Sequence, residues 1–345
     1  MTQSAVVFEA AHLPLKLETV PIAGLGDDEV RVAIAACGIC GSDLHMAHAP
    51  DTFGVKAGAV LGHEFAGTVV AVGKDVHDLV AGDRVAVAPI RGCGQCDRCR
   101  AGEPAWCPDM VLIGGGYAQS AVIAARQCRR IADDVALEDA ALAEPAAVAL
   151  HAVNRVQVKP GARVLVLGAG PIGLLVAFWA RRSGAATVIV ADLQPHQKDR
   201  ALQIGATHFE ISDKDLSARL LAKNIVPDIV FECVGRPGMI DRAVSLVAQR
   251  GHVVGVGLCV EPDTWSNFAA LHKEVTIHMS AFFDMHEFEA ALDALRPAQS
   301  KLIQSLVTSR IDLGSVPMSF AALYDRTSQC KVLICMEHLQ GMDEE

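Results

Sequence analysis

Apolar and polar positions along the chain fall into two regimes. In the first stretch the apolar runs are short, rich in Val and Ala, and separated by Gly, Pro and Asp. Ser4–Glu9, Glu29–Ala36, Phe65–Val72 and Arg84–Ala88 read as β-strands. Gly67, Gly73 and Gly82 fall where turns or close backbone contacts fit. A helix is expected from about Leu137 to Arg155, with Glu138 and Asp139 in its first turn, and Pro160-Gly161 marks a break after it. Beyond that break the pattern alternates regularly. Arg163–Leu167, Thr187–Ala191, Asp228–Cys233 and His252–Gly257 read as strands, and Pro171–Arg182, Pro195–Ile204 and Gly238–Gln249 as helices. Such alternation predicts βαβ units and a parallel sheet. A mixed tail follows, with a helix at Glu287–Leu295 and a last strand near Lys331–Met336.

Composition narrows the classes. A chain of 345 residues suggests about two domains. Hydrophobic residues at 51% and charged ones at 20% exclude a disordered chain. The net charge of −10 repels phosphate backbones, so no nucleic-acid partner is expected. Mean hydropathy is +0.31, which raises the question of a membrane. The longest apolar stretches, such as Arg163–Leu175, are too short and too rich in Gly and Pro to span one. Met1 to Ala11 carries no basic region ahead of an apolar one, so a cytoplasmic protein without a secretory signal is expected.

The 11 cysteines are unevenly spread, and an odd number in this setting argues against a disulfide scaffold. Cys128, Cys233, Cys259, Cys330 and Cys335 read as small core residues. Cys93, Cys96, Cys99 and Cys107 form C-x2-C-x2-C-x7-C, a spacing that lets four thiolates converge on one tetrahedral Zn²⁺. An iron–sulfur cluster is the rival, since Pro108 follows Cys107, but the last gap is longer than the ferredoxin run requires. Four unligated thiols remain a third reading.

Gly168-Ala169-Gly170-Pro171-Ile172-Gly173 follows a strand and opens a helix. In that context G-x-G-x-x-G has a mechanism. Gly168 permits a tight turn, Gly170 lets backbone approach a pyrophosphate, and Gly173 allows close helix–strand packing. Pro171 suits the first helical turn, and the free N–H groups there favour an anion. Asp192 ends the next strand, where a carboxylate accepts from an adenosine ribose and repels a 2′-phosphate, so NAD is favoured over NADP. A glycine turn that binds nothing is the bland alternative.

A second cluster is dispersed: Cys37, Cys40, Ser42, Asp43 and His45 come first, then His63-Glu64, then Glu144. Cys, His and carboxylate are zinc ligands, and three of them leave an open position for substrate. Each alone has an ordinary structural reading, and Cys37/Cys40 could instead be a redox pair.

Taken together, these residues resemble the zinc-dependent medium-chain alcohol dehydrogenases, and within them the polyol branch of sorbitol, threonine and butanediol dehydrogenases. The carriers are CGICGSDLH (37–45), LGHEFAGTVVAVG (61–73), GDRVAV (82–87), the four-Cys loop, AEPAAVALHAV (143–153), PGARVLVLGAGPIG (160–173) and FECVG (231–235). The resemblance implies an α/β chain with a discontinuous GroES-like, β-rich catalytic domain from 1–150 and 289–345. A Rossmann domain with a doubly wound parallel sheet would occupy 151–288. It implies two zinc ions. Cys40, His63 and Glu64 would bind the catalytic one, with Glu144 as a ligand or a partner through water, and Cys93, Cys96, Cys99 and Cys107 would bind the structural one. Ser42 would take the substrate proton and His45 would relay it. Gly168, Gly170, Pro171, Ile172, Gly173, Asp192 and Lys198 would hold the cofactor.

The expected activity is reversible oxidation of a secondary alcohol, diol or polyol to the ketone, with hydride passing to NAD. A zinc-dependent carbonyl reductase and a non-catalytic zinc and dinucleotide sensor are the alternatives. Partners would be a small-molecule substrate and further copies of the chain, as a homodimer or homotetramer built through the apolar strand near Val275–Ala281. The sequence departs from the resemblance in a shortened segment after Cys107, and in Gln197, Met279 and Ser309 where Arg, Gly and His are usual. Phe53, Trp106, Phe282 and Phe283 are pocket candidates by resemblance alone, ordinary core packing being the other reading.

Overall fold

The computed structural model describes residues 1–325 and 328–336. The chain divides into two compact units, Met1–Glu144 with the chain from Asp284 onward, and Pro145–Phe283. The last residues of the expected 289–345 segment lie outside the described ones.

The first unit is built on a mostly antiparallel sheet. Its strand order is Val307–Ile311, Lys331–Cys335, Glu29–Gly38, Glu64–Val72, Arg84–Val87 and Cys128–Arg130, with Ser120–Ala124 also paired to Glu29–Gly38. Along Glu29–Gly38 buried positions alternate with half-buried ones, so Val30, Val32 and Ile34 point to one face. They join Phe65, Val69, Val85 and Ile334 in one core. The strand Lys16–Pro21 pairs with Thr2–Val7 and is nearly all exposed. Its side chains carry no inward-facing period, which hides it from a hydrophobicity reading.

The second unit holds six parallel strands in the order His208–Ile211, Thr187–Asp192, Arg163–Leu167, Ile229–Glu232, His252–Gly255 and Thr276–Met279. Numbered along the chain within this sheet, that is the 3-2-1-4-5-6 order of a doubly wound dinucleotide-binding sheet. Val164, Leu165, Val166 and Leu167 are all fully buried, as expected for a strand covered on both faces. The strand His208–Ile211 is half polar, which masks it in the sequence.

The helix expected over 137–155 is in fact split. Asp139–Leu142 is a 3-10 turn and Ala143–Asn154 the α-helix. Pro145 is the reason: its ring excludes the carbonyl four residues back and it offers no N–H, so it fits only in a first turn.

Candidate metal centres and cofactor loop

The register of the first sheet gathers distant residues at one end. Gly38 pairs with Glu64 on one side and with Leu333 on the other. The exit of Glu29–Gly38 therefore lies beside the entries of Glu64–Val72 and Lys331–Cys335. Cys40 follows that exit and caps the helix Gly41–His48, and His63 immediately precedes the neighbouring strand. One ligand atom each from Cys40, His63 and Glu64 lie within 4.8 Å of one another.

Asp43 orients the histidine. Its side chain is fully buried and stands at the third helical position, where it accepts the Cys40 N–H at 3.0 Å. His63 Nδ1 lies 3.3 Å from Asp43 Oδ1, which leaves Nε2 facing Ser42 Oγ at 3.3 Å. Ser42 Oγ also donates to Cys40 Sγ at 3.1 Å. Burial works against charge on both partners. The attraction of each for the other outweighs it, raising His63 well above its usual range and holding Asp43 below its own. His45 is half-buried three residues beyond Ser42, and burial, with His48 nearby, lowers its pKa.

The two glutamates differ. Both Glu64 oxygens accept from Lys331 Nζ at 2.7 Å, and Lys331 also donates to the Ile39 carbonyl. Both side chains are almost wholly buried. Burial alone would discharge the ammonium, but Glu64 and the other acids around it raise its pKa instead. Glu144 is pushed up to about 7, chiefly by burial and by the negative charge of Glu64, with His63 opposing.

The four-Cys segment closes on itself. The Sγ atoms of Cys93, Cys96, Cys99 and Cys107 lie within 4.8 Å of one another. The short helix Asp97–Arg100 and the 3-10 turn Pro104–Trp106 set their spacing. Backbone N–H groups of Cys93 and Asp109 point to Cys107 Sγ at 3.2 and 3.4 Å. Those of Gln95 and Cys96 lower the Cys93 thiol to about 6, whereas burial pushes the Cys99 thiol up to about 12. Donors aimed at sulfur favour the thiolate a metal requires, and four thiolates suit a closed tetrahedral zinc site. The Cys–His–carboxylate donors of the first cluster equally suit zinc with a position left open. All eleven cysteines are free; Cys128 and Cys330 are buried, whereas Cys233, Cys259 and Cys335 are only partly so.

In the second unit the glycine turn takes the form its spacing predicts. Gly168 has φ +99° and its N–H bonds the Ala191 carbonyl. Gly170 caps the helix Pro171–Arg182, with Pro171 and Ile172 half-buried in its first turn. A Cβ on Gly173 would stand 2.0 Å from the Gly168 carbonyl oxygen, so only glycine lets the helix sit this close. Asp192 ends its strand and accepts the Ala169 N–H at 2.7 Å, which ties the carboxylate to the turn. Lys198 is exposed at the start of its helix, while Gln197 is buried and accepts from Arg200.

Tyr117 and Lys331 were not singled out by the sequence reading, although both touch the first cluster. Tyr117 is buried with its hydroxyl 2.7 Å from Asp43 Oδ2. The signals available were faint: a tyrosine after three glycines, and a lysine heading an apolar strand. Of the aromatic pocket candidates, Phe283 is buried, Phe53 packs against the core of its unit, and Trp106 is half exposed. No helix among the described residues is long and apolar enough to cross a membrane.

Comparison with known proteins agrees with this layout. Residues 26–133 match the family described as the alcohol dehydrogenase GroES-like domain, and residues 171–296 match zinc-binding dehydrogenase. A sorbitol dehydrogenase of Bombyx mori is 32% identical over 331 residues, covering 91% of this chain and 93% of its own. Among solved structures, a short chain alcohol dehydrogenase (rspB) of Escherichia coli CFT073 complexed with NADH superposes with a TM-score of 0.88 at 28% identity, covering 97% of this chain and 99% of its own. The 2R,3R-butanediol dehydrogenase of Bacillus subtilis gives 0.86 at 27% identity, covering 96% and 99%.

Proposed function

From the premise that this chain belongs to the zinc-dependent medium-chain polyol dehydrogenase family, oxidoreductases acting on CH–OH donors, we propose that it reversibly oxidises a secondary alcohol, diol or polyol to the ketone, using NAD and two zinc ions. The observation that carries this reading is the convergence of Cys40, His63 and a buried carboxylate, with the Ser42 hydroxyl set against two of them.

Zinc would supply a Lewis acid that favours the alkoxide, and the nicotinamide would accept the hydride. The chain's own residues do the rest. Cys40 and His63, with Glu64 or Glu144 as the carboxylate, hold the first zinc, and the four cysteines from Cys93 to Cys107 hold the second. Asp43 keeps the His63 proton on Nδ1 and so presents Nε2. Ser42 Oγ accepts the substrate's hydroxyl proton, and His45, on the same face one turn on, passes it outward. Gly168, Gly170, Pro171, Ile172 and Gly173 bring backbone N–H groups to a pyrophosphate. Asp192 accepts from the ribose and excludes a 2′-phosphate, which supports NAD over NADP, and Lys198 stands nearby in sequence.

The division of labour follows the expected domains, 1–150 with 289–345 for chemistry and 151–288 for cofactor. It is supported by the two compact units and by the parallel order of the second sheet. A homodimer or homotetramer is supported by Thr276–Met279, which edges that sheet with Met279 exposed. A cytoplasmic setting is supported by eleven free cysteines.

Zinc-loaded protein incubated with NAD⁺ and a panel of polyols, diols and secondary alcohols should form NADH with at least one of them. The same panel with NADP⁺ should run more slowly. No reduction of either cofactor by any member, in protein shown to contain zinc, would overturn the proposal.

A further inference from the structure

Tyr117 begins a chain of two contacts that runs through Asp43 and ends on His63. Its side chain has no exposed surface, and a buried tyrosine hydroxyl needs a partner. That partner is Asp43 Oδ2, at 2.7 Å. Asp43 is buried as completely, and each of its oxygens has two donors. Oδ2 accepts from Tyr117 and from the Cys40 N–H, while Oδ1 faces the Gly62 N–H and His63 Nδ1. An ionised carboxylate offers about four acceptor sites, so the Tyr117 hydroxyl completes the set. The ring is fixed as firmly as the hydroxyl. A Cβ on Gly62 would lie 2.4 Å from Tyr117 Cδ1, and Gly62 has φ +85°, so the ring packs directly on the backbone that leads into His63.

We propose that Tyr117 is a positioning residue for the metal centre: acting through Asp43, it fixes the His63 ring with Nε2 toward Cys40 and thereby sets how tightly zinc is held. This rests on the reading of Cys40 and His63 as ligands given above. The physical argument is one of competing orientations. A buried carboxylate with one oxygen short of donors turns toward whatever donor it can reach, and its hold on Nδ1 loosens. With four donors in place it has a single orientation. The proton then stays on His63 Nδ1, and the lone pair on Nε2 is the one presented to a metal.

Tyr117→Phe keeps the ring on Gly62 and deletes only the O–H, which makes it a clean probe. The zinc-loaded wild-type protein, Tyr117→Phe, Asp43→Asn, the double variant and Cys40→Ser would each be titrated with a chromogenic zinc chelator. The zinc phase missing from Cys40→Ser identifies this centre. In Tyr117→Phe that phase should bind about tenfold more weakly, the lower end of what losing an outer partner of a zinc-bound histidine costs. The four-Cys phase should not move. In the Asp43→Asn background, adding Tyr117→Phe should change nothing further, because the hydroxyl acts only through the carboxylate. Co²⁺-substituted Tyr117→Phe should show displaced ligand-field bands. An unchanged Cys40-dependent phase, a loss of thermal stability with zinc affinity intact, or an equal effect in the Asp43→Asn background would each overturn the inference. If Cys40→Ser lacks no zinc phase, the ligand reading itself falls and this inference falls with it.

Discussion

Ser42 and Asp192 show how little freedom a single side chain needs to carry chemistry. Ser42 Oγ lies 3.1 Å from Cys40 Sγ and 3.3 Å from His63 Nε2, so it stands at the metal cluster without being a ligand type for zinc. Ser42→Ala should slow alcohol oxidation by about a hundredfold or more, the scale of a lost proton-transfer group, while zinc content stays normal. Steady-state rates beside metal analysis check this. Asp192 is held by the Ala169 N–H at the end of its strand. Asp192→Ala should weaken NAD⁺ use about tenfold, as for a lost hydrogen bond to a charged group, and should improve NADP⁺ relative to NAD⁺. The ratio of kcat/KM for the two cofactors reads this directly.

Elements were legible wherever a strand or helix carries its own signal. The apolar strand Arg163–Leu167 and the glycines after it declare a strand, a turn and a helix within a dozen residues. Gly173→Ala should cost about 1–3 kcal/mol by overpacking against Gly168 and should weaken cofactor binding, both measurable by denaturant melts with and without NADH. The strand His208–Ile211 was missed because it is partly polar, and its polar Glu210 is the residue that fastens it. Arg219 reaches Glu210 at 3.2 Å and Lys223 bonds its other oxygen. Burial alone would raise this carboxyl, but the two cations outweigh it and its pKa is lowered. A carboxyl lowered on folding adds stability above its unfolded pKa, about 4.3, and that share is lost as pH falls through the folded value. Urea midpoints should therefore drop below about pH 4.3, and drop less steeply in Glu210→Gln.

For the whole molecule, the two compact units carry the two candidate functions separately. Cys40 and His63 lie in one and the glycine turn in the other. Cys40→Ser should abolish turnover while NADH still binds, as followed by cofactor fluorescence; loss of both together would contradict that separation. The sequence by itself determined what is local in the chain. It specified the βαβ alternation, the glycine turn and the four-Cys loop, because each depends on residues a few positions apart whose backbone geometry or ligand spacing is set by covalent neighbours. It also supplied the residue types of the Cys–His–carboxylate cluster, though only in combination. Only the tertiary structure decided which side chains surround that cluster. Lys331 meets Glu64 across 267 positions and Tyr117 meets Asp43 across 74. Those meetings follow from the register of antiparallel strands and from the burial of charges that must find partners. Register is fixed by the packing of a whole sheet face, so no local pattern of residues announces it.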